Sequence, residues 1–296
     1  MRELVVISGK GGTGKTSVVG CFAALAKKKV LADCDVDAAD LHLLLSPEIK
    51  EWHDFYAGKR ASISQGDCIR CGACLAWCRF AAVRMNGTGV GEATFRIDPF
   101  SCEGCGVCVH FCPQQAIDFM ERKAGEWYIS ETRYGPMVHA QLGIAEGNSG
   151  KLVTLVRSQA HRIAKERGLD WVIIDGSPGI GCPVIASIAG ADLILIVTEP
   201  SLSAQHDMER VVQLARHFRA PVALCINRYD LNEQISDGIH RWCKEKGILI
   251  LGEIPYDTRF TEAQTRHVSL VEYSGGKAAQ AIKSIWQGLL DAISKF

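Results

Sequence analysis

The chain carries no surplus of either charge, with 33 Lys+Arg against 33 Asp+Glu in 296 residues. Without a net field it has nothing to hold nucleic acid or an anionic membrane surface over a distance. No apolar run approaches the roughly 20 residues that a bilayer-spanning helix needs. A secretory leader is also missing, because the first residues pass straight into a strand-like run. These absences lead to the expectation of a cytoplasmic protein without a nucleic-acid partner or stable membrane association. They also decide how the thirteen cysteines are read. In a reducing compartment such a number points to metal ligation rather than disulfides. The length and a 47% hydrophobic content suffice for one large α/β domain and a smaller module.

The stretch Gly9-Lys10-Gly11-Gly12-Thr13-Gly14-Lys15-Thr16 matches the phosphate-loop template and follows the apolar run Leu4 to Ile7. Its glycines let the backbone close on phosphate with N–H groups turned inward, and a helix starting near Lys15 adds the positive end of its dipole. Lys15 is expected on the β/γ-phosphates, Thr16 on Mg²⁺, and Ser17 completes the binding run. A second lysine, Lys10, has no role in the general template. Ser8 to Thr16 resembles the deviant phosphate loop of the MinD/ParA/nitrogenase iron protein class of ATPases. That resemblance implies ATP with Mg²⁺, a nucleotide-dependent homodimer, and a Lys10 that reaches the partner's nucleotide.

Val30-Leu31-Ala32 reads as a short buried strand delivering Asp33-Cys34-Asp35-Val36-Asp37-Ala38-Ala39-Asp40 at its carboxyl end, where ligand chemistry belongs in a parallel sheet. The resemblance implies that Asp35 positions or activates the attacking water and that Asp33 lies near Lys15 and the Mg²⁺ shell. Asp37 and Asp40 read equally as a polar loop or as part of the site. Trp171 to Ile174 is a second such strand, ending in Asp175-Gly176-Ser177-Pro178-Gly179, with Asp175 expected on Mg²⁺ directly or through water. Cys182 stands at the offset of a cluster cysteine in the nitrogenase iron protein. It lacks a clear second cysteine and is expected to be a small buried thiol. Cys21, Cys225 and Cys243 are expected in the core.

From about Ser62 the composition changes, giving Cys68, Cys71, Cys74, Cys78 and then Cys102, Cys105, Cys108, Cys112 followed by Pro113. Both quartets follow the bacterial ferredoxin run, in which three thiolates hold one iron–sulfur cube and the fourth reaches the other. The expected ligand sets are Cys68, Cys71, Cys74 and Cys112 for one [4Fe-4S] cluster, and Cys102, Cys105, Cys108 and Cys78 for the second. Structural zinc is the competing reading, disfavoured because such sites use ligand pairs across a long loop. Gly72 and Gly106 match, and Ala81-Ala82-Val83 echoes Gln115-Ala116-Ile117, so the segment reads as an internal repeat. Arg79 stands where the first quartet would have proline.

Further along, Trp127 to Gly150 has strand-like residues such as Tyr128-Ile129-Ser130 followed by Gly135-Pro136, its glycine-rich turn Gly147-Asn148-Ser149-Gly150-Lys151 reads as a plain loop, and Leu152 to Gly168 reads as a surface helix. Lys27-Lys28-Lys29 reads as the solvated end of the first helix. Asn227-Arg228-Tyr229-Asp230 ends a strand. The resemblance assigns Asn227 to the purine edge and favours adenine, with guanine open; Arg228 joins the same site. Pro255 is expected against the base. Lys277 to Lys295 forms an amphipathic helix expected to pack on the sheet rather than on membrane. His42, His53, His139 and His217 have no ligand-spaced partners.

Strands alternating with helices predict an α/β fold: a doubly wound, mostly parallel phosphate-loop sheet over 1–58 and 123–296, with a 2[4Fe-4S] ferredoxin-like insertion at 59–122. The chain thus resembles a MinD-superfamily ATPase with an inserted two-cluster ferredoxin. The resemblance implies an ATPase, slow without its partner, that couples nucleotide state to electron transfer towards a redox or metallocofactor partner protein. The alternatives are a metallocofactor-assembly scaffold, whose late Cys-x-x-Cys this chain lacks, and a MinD/ParA-like positioning ATPase.

Overall fold

The computed structural model describes residues 1–87, 94–143, 146–147 and 149–293. The chain runs through β1 (Arg2–Ser8), α1 (Lys15–Leu25), β2 (Lys29–Asp33) and α2 (Leu41–Leu45) into a long β3 (Glu48–Ile63). Next come α3 (Ala73–Trp77), β4 (Val83–Asn86), β5 (Thr94–Ile97) and α4 (Val107–His110), and β6 (Ile117–Thr132) leads into β7 (Gly135–Leu142). Strands and helices then alternate through α5 (Ser149–Arg167), β8 (Trp171–Pro178), α6 (Cys182–Ile188), β9 (Leu193–Thr198), α7 (Leu202–His217) and β10 (Val222–Asn227). The described chain closes with α8 (Glu233–Lys246), β11 (Leu249–Ile254), α9 (Arg259–Thr265), α10 (Leu270–Tyr273) and α11 (Lys277–Ile293).

By contact the chain divides into two compact units. Unit 1 comprises Met1–His53, Glu126–Leu142 and Ser149–Phe296, and unit 2 comprises Asp54–Gly125 and Gly143–Asn148. The boundaries differ from 59 and 122 because the change of unit falls inside β3 and β6, strands of sixteen residues each.

One sheet has the order β11-β10-β9-β1-β8-β2-β7-β6-β3. From β11 to β7 every pair is parallel. Strands covered on both faces need unbroken apolar runs rather than alternation, and β1 and β9 have them, with Leu4 to Ile7 and Leu193 to Val197 fully buried. On one face α1 contributes Val18, Phe22 and Ala23, and α11 contributes Ile282, Ile285, Trp286 and Leu289. The Trp286 ring lies 5.1 Å from Phe22 and 5.6 Å from Trp171. The apolar stripe of α11 is therefore spent on the sheet. Residues 294 and 295 of the expected helix lie outside the described residues. Cys21, Cys225 and Cys243 are buried as expected.

Two expectations in unit 1 fail. Lys29 is not solvated: it opens β2, is buried, and sets its ammonium 5.5 Å from the Tyr134 ring centre, and burial lowers its pKa. Register with Trp171 fixes that position, and three lysines in a row cannot signal which of them enters a strand. The turn Gly147 to Lys151 is not a plain loop throughout, because Ser149 opens α5. The strand-like residues Tyr128 to Ser130 lie in β6, and β7 follows. A two-residue connection, Arg133-Tyr134, makes β6 and β7 antiparallel. Gly135-Pro136, which look like a break, begin β7 instead. Asn148 of the expected turn lies outside the described residues.

Unit 2 has its own small core of Ala61, Cys74, Ala82, Val83, Phe95, Cys102 and Ile117, with the antiparallel pair β4–β5. The sequence repeat is also a repeat of backbone shape. Gly72 and Gly106 precede α3 and α4 at φ +75° and +76°, and Ala81 and Gln115 both take φ +51°.

Candidate functional site

In a parallel sheet all carboxyl ends fall on one edge, so β1, β2, β8, β9, β10 and β11 deliver their following loops together. There they form a cavity lined by Ser8, Gly11 to Ser17, Asp35, Ala38, Asp40, Pro178, Asn227, Arg228, Tyr256, Asp257, Thr258, Phe260, Thr261 and Gln264. The phosphate loop is shaped by close approach. Gly14 stands at φ +89°, and a Cβ there would lie 2.3 Å from Asn227 Nδ2. A Cβ on Gly9 would meet the Asp207 backbone at 2.6 Å.

Lys15 is buried between carboxylates, its Nζ 2.5 Å from Asp175 Oδ1 and 3.4 Å from Asp35 Oδ2. Burial alone would lower its pKa; the charges of Asp175 and Asp35 outweigh that and hold the ammonium above its ordinary value. Asp35 is pushed up to about 6, chiefly by burial, with Lys15 opposing and Asp175 reinforcing the rise. Asp33 is raised well above the usual carboxylate range by burial and then by Asp175. Thr16 reaches the same ammonium, with its Oγ1 at 3.4 Å.

Other expected residues are placed differently. Asp33 does not line the cavity: its carboxylate accepts the N–H groups of Asp35 at 3.1 Å and Leu41 at 3.2 Å, so it shapes the loop that carries Asp35. Pro255 lies in a neighbouring hollow with Tyr229 and Glu253, whereas Tyr256, Asp257, Thr258, Phe260 and Thr261 face the phosphate-loop cavity. Asn227 donates to the Thr13 carbonyl at 2.7 Å, and its own Oδ1 is buried without a partner. Thr13 Oγ1 and Asp175 Oδ2 are buried and unpaired as well. Of the aspartates left open, Asp40 lines the cavity and Asp37 does not.

Lys10 is held within its own chain. Its Nζ sits 2.8 Å from Glu199 Oε1 and 3.2 Å from the hydroxyls of Ser201 and Ser203. Arg228 binds the other Glu199 oxygen at 3.0 Å and the Gly12 carbonyl at 3.3 Å. Glu199 was not among the expected site residues. Its place just beyond β9 on the ligand edge is the signal that identifies it. Gln264, likewise missed, donates to Ser17 Oγ at 2.8 Å across a separation in sequence that no local pattern reveals.

In unit 2 the cysteines separate into the two expected sets. Cys68, Cys71, Cys74 and Cys112 line one cavity; Cys78, Cys102, Cys105 and Cys108 line another. Each is a small hollow between mostly apolar walls. Backbone amides point at the sulfurs. Ala116 N donates to Cys112 Sγ at 3.3 Å, and although burial opposes it, N–H groups from Phe80 and Ala82 lower the Cys78 thiol. Cys182 contradicts its expected burial: it is exposed at the first turn of α6, since the loop after β8 projects from the sheet edge. His139, expected to have no ligand role, is buried against Ser130 and Tyr128, and burial followed by His42 lowers its pKa to about 4.

Among known proteins, the family model of the CobQ/CobB/MinD/ParA nucleotide binding domain matches residues 4–271. An uncharacterized protein of Methanocaldococcus jannaschii is 32% identical, with 99% of this chain and 98% of that protein covered. A second uncharacterized protein of the same organism is 24% identical over 93% and 94% of the two chains. Among solved structures, the septum site-determining protein MinD of Pyrococcus horikoshii, complexed with Mg-ADP, superposes with a TM-score of 0.57. Its identity is 16%, with 97% and 95% of the chains covered, a likeness that shows the fold alone.

Proposed function

The chain belongs to the CobQ/CobB/MinD/ParA nucleotide-binding family, and from that premise we propose that it is an ATPase whose inserted unit carries two [4Fe-4S] clusters and delivers electrons to a partner protein. The nucleotide half rests on the phosphate-loop cavity. Its unpaired buried atoms suit a bound nucleotide: Asn227 Oδ1 would accept from a purine amine, Thr13 Oγ1 would meet phosphate, and Asp175 Oδ2 would help hold Mg²⁺ directly or through water. Lys15 turns from Asp175 to the β/γ-phosphates, Thr16 takes the Mg²⁺ side, and Asp35 orients the attacking water. Asp33 acts through the backbone of that loop.

The observation that carries the electron-transfer half is the division of eight cysteines into two cavities of four, with a backbone amide aimed at a thiol. A single tetrahedral zinc would draw its four sulfurs to roughly 3.8 Å of one another, given Zn–S near 2.3 Å. Among the described residues no group of three or more Cys, His, Asp or Glu is placed to hold a single metal ion. Two cubes would take these eight thiolates on separate irons and would supply one-electron chemistry when bound.

The fold likeness to MinD favours a second reading, a positioning ATPase without redox chemistry. It accounts for unit 1 and assigns nothing to the eight cysteines. Metal and sulfide analysis of anaerobically purified protein decides between them. The proposal expects about eight irons and eight acid-labile sulfides per chain, from two cubes. Stoichiometric zinc, or protein without iron that still hydrolyses ATP on a partner surface, overturns it. Competition between ATP and GTP tests the assignment of Asn227.

A further inference from the structure

Unit 2 contains an ion cluster that neither site uses. Glu146, with its side chain only 10% exposed, pairs with the guanidinium of Arg122, 14% exposed, and lies 3.6 Å from Arg60 Nη2. Arg122 also donates from Nη1 to the backbone carbonyl of Cys102 at 3.3 Å. Glu146 is itself held in place: its N–H donates to the Gly143 carbonyl at 3.1 Å, and Gly143 N–H donates to the Ala124 carbonyl at 2.9 Å. The loop bearing Cys102 is pinned from its other side. Gly104 stands at φ +63°, and a Cβ there would lie 2.1 Å from the Lys59 carbonyl. A fixed cation is thus tied to one ligand loop, with a fixed anion countering it.

Resting on the cluster reading above, we infer that Arg122 and Glu146 are positioning residues that set how readily the Cys78, Cys102, Cys105 and Cys108 site accepts an electron. Uptake of one electron adds one negative charge behind the Cys102 thiolate. A guanidinium held on that loop favours the reduced state, and the carboxylate beside it cancels part of the effect. Partial burial keeps both charges from the full screening of water. Nothing in this role requires either residue to touch a sulfur.

The test is an anaerobic dithionite titration of the full chain, followed by electron paramagnetic resonance, with iron content measured in every sample. Arg122→Gln lowers one of the two potentials, and Glu146→Gln raises the same one. Each changes the reduced-to-oxidised ratio at fixed poise by roughly tenfold, about 59 mV for one electron. The double variant returns close to the parent, and Arg122→Lys, which keeps the charge, stays close as well. Shifts of one sign in both single variants, or no shift in either, mean that the pair only props the fold and overturn the inference. So does an Arg122→Lys protein that loses iron together with Arg122→Gln. A parent chain without iron–sulfur signals overturns the cluster reading itself, an outcome visible before any variant is made.

Discussion

The two units solve the same problem, a buried polar site, in opposite ways. In unit 1 the charges of the nucleotide site are matched within the chain: Lys15 by Asp175 and Asp35, Lys10 and Arg228 by Glu199. The carboxylates and ammonium form their own counter-ions, and ligand binding exchanges one set of partners for another. In unit 2 the buried groups are thiols. Cys74 and Cys102 belong to the small core, and Cys78, Cys108 and Cys112 pack against it around voids that no side chain fills. A large sheet can position a ligand-binding edge without the ligand. On the cluster reading, a small core that counts metal ligands among its members depends on what they bind.

If the proposed clusters are bound, the sharpest way to break this comparison is to remove their iron. Chelation of the reduced protein is expected to expose unit 2 to limited proteolysis throughout 54–125 while unit 1 stays folded and still binds nucleotide. Equal protection of unit 2 before and after chelation would remove the contrast.

The next effect lies in unit 1. Lys15→Ala strips the partner from Asp175, which is 1% exposed, and breaking a buried pair on one side costs about 3–5 kcal/mol. Urea denaturation of nucleotide-free protein should show that loss, and nucleotide binding should vanish. Asp35→Ala keeps bound ATP and stops turnover. Equal ATP affinity in the two variants would refute the division of roles.

A smaller effect concerns a polar group buried neutral. The folded pKa of His139 is about 4 against an ordinary 6.5, so between those values the unfolded chain binds a proton that the folded chain refuses. Its contribution is complete above pH 6.5 and is lost as pH falls towards 4, a span worth roughly 3 kcal/mol at one unit per 1.36 kcal/mol. His139→Gln should flatten the stability profile in that window, and an unchanged profile would mean that the imidazole is solvated.

The weakest expected change is at Glu199. Lys10 is 30% exposed, so its ion pair is screened and contributes less than about 1 kcal/mol. Glu199→Gln should free Lys10 and promote nucleotide-dependent dimer formation by less than about fivefold, measured by analytical ultracentrifugation with Mg-ATP. Dimerisation indifferent to Glu199 would show that the pair does not restrain Lys10.

What was readable before the fold was known is what contiguous residues can encode. The run Gly9 to Thr16 follows β1 and opens α1, and the cysteine spacings sort eight thiols into the same two sets that line the two cavities. The repeat was legible because Gly72 and Gly106, like Ala81 and Gln115, meet identical local backbone demands. The strands of the parallel sheet were legible from unbroken apolar runs, whereas β7 was hidden by Gly135-Pro136 at its start.

The sequence by itself therefore determined the phosphate loop, the division of eight cysteines into two sets and the alternation of strands and helices, because each depends on the spacing of neighbours along the chain. The tertiary structure alone decided which carboxylate faces Lys15, that Asp33 serves the Asp35 loop instead of the cavity, and that Glu199 holds Lys10. It also decided that Lys29 is buried, that Cys182 is exposed, and that Arg122 meets Glu146 beside Cys102. The physical reason is that these side chains come from segments far apart in sequence. Only strand order and register bring such segments within reach of a hydrogen bond, and no local pattern records which distant partner a charge will meet.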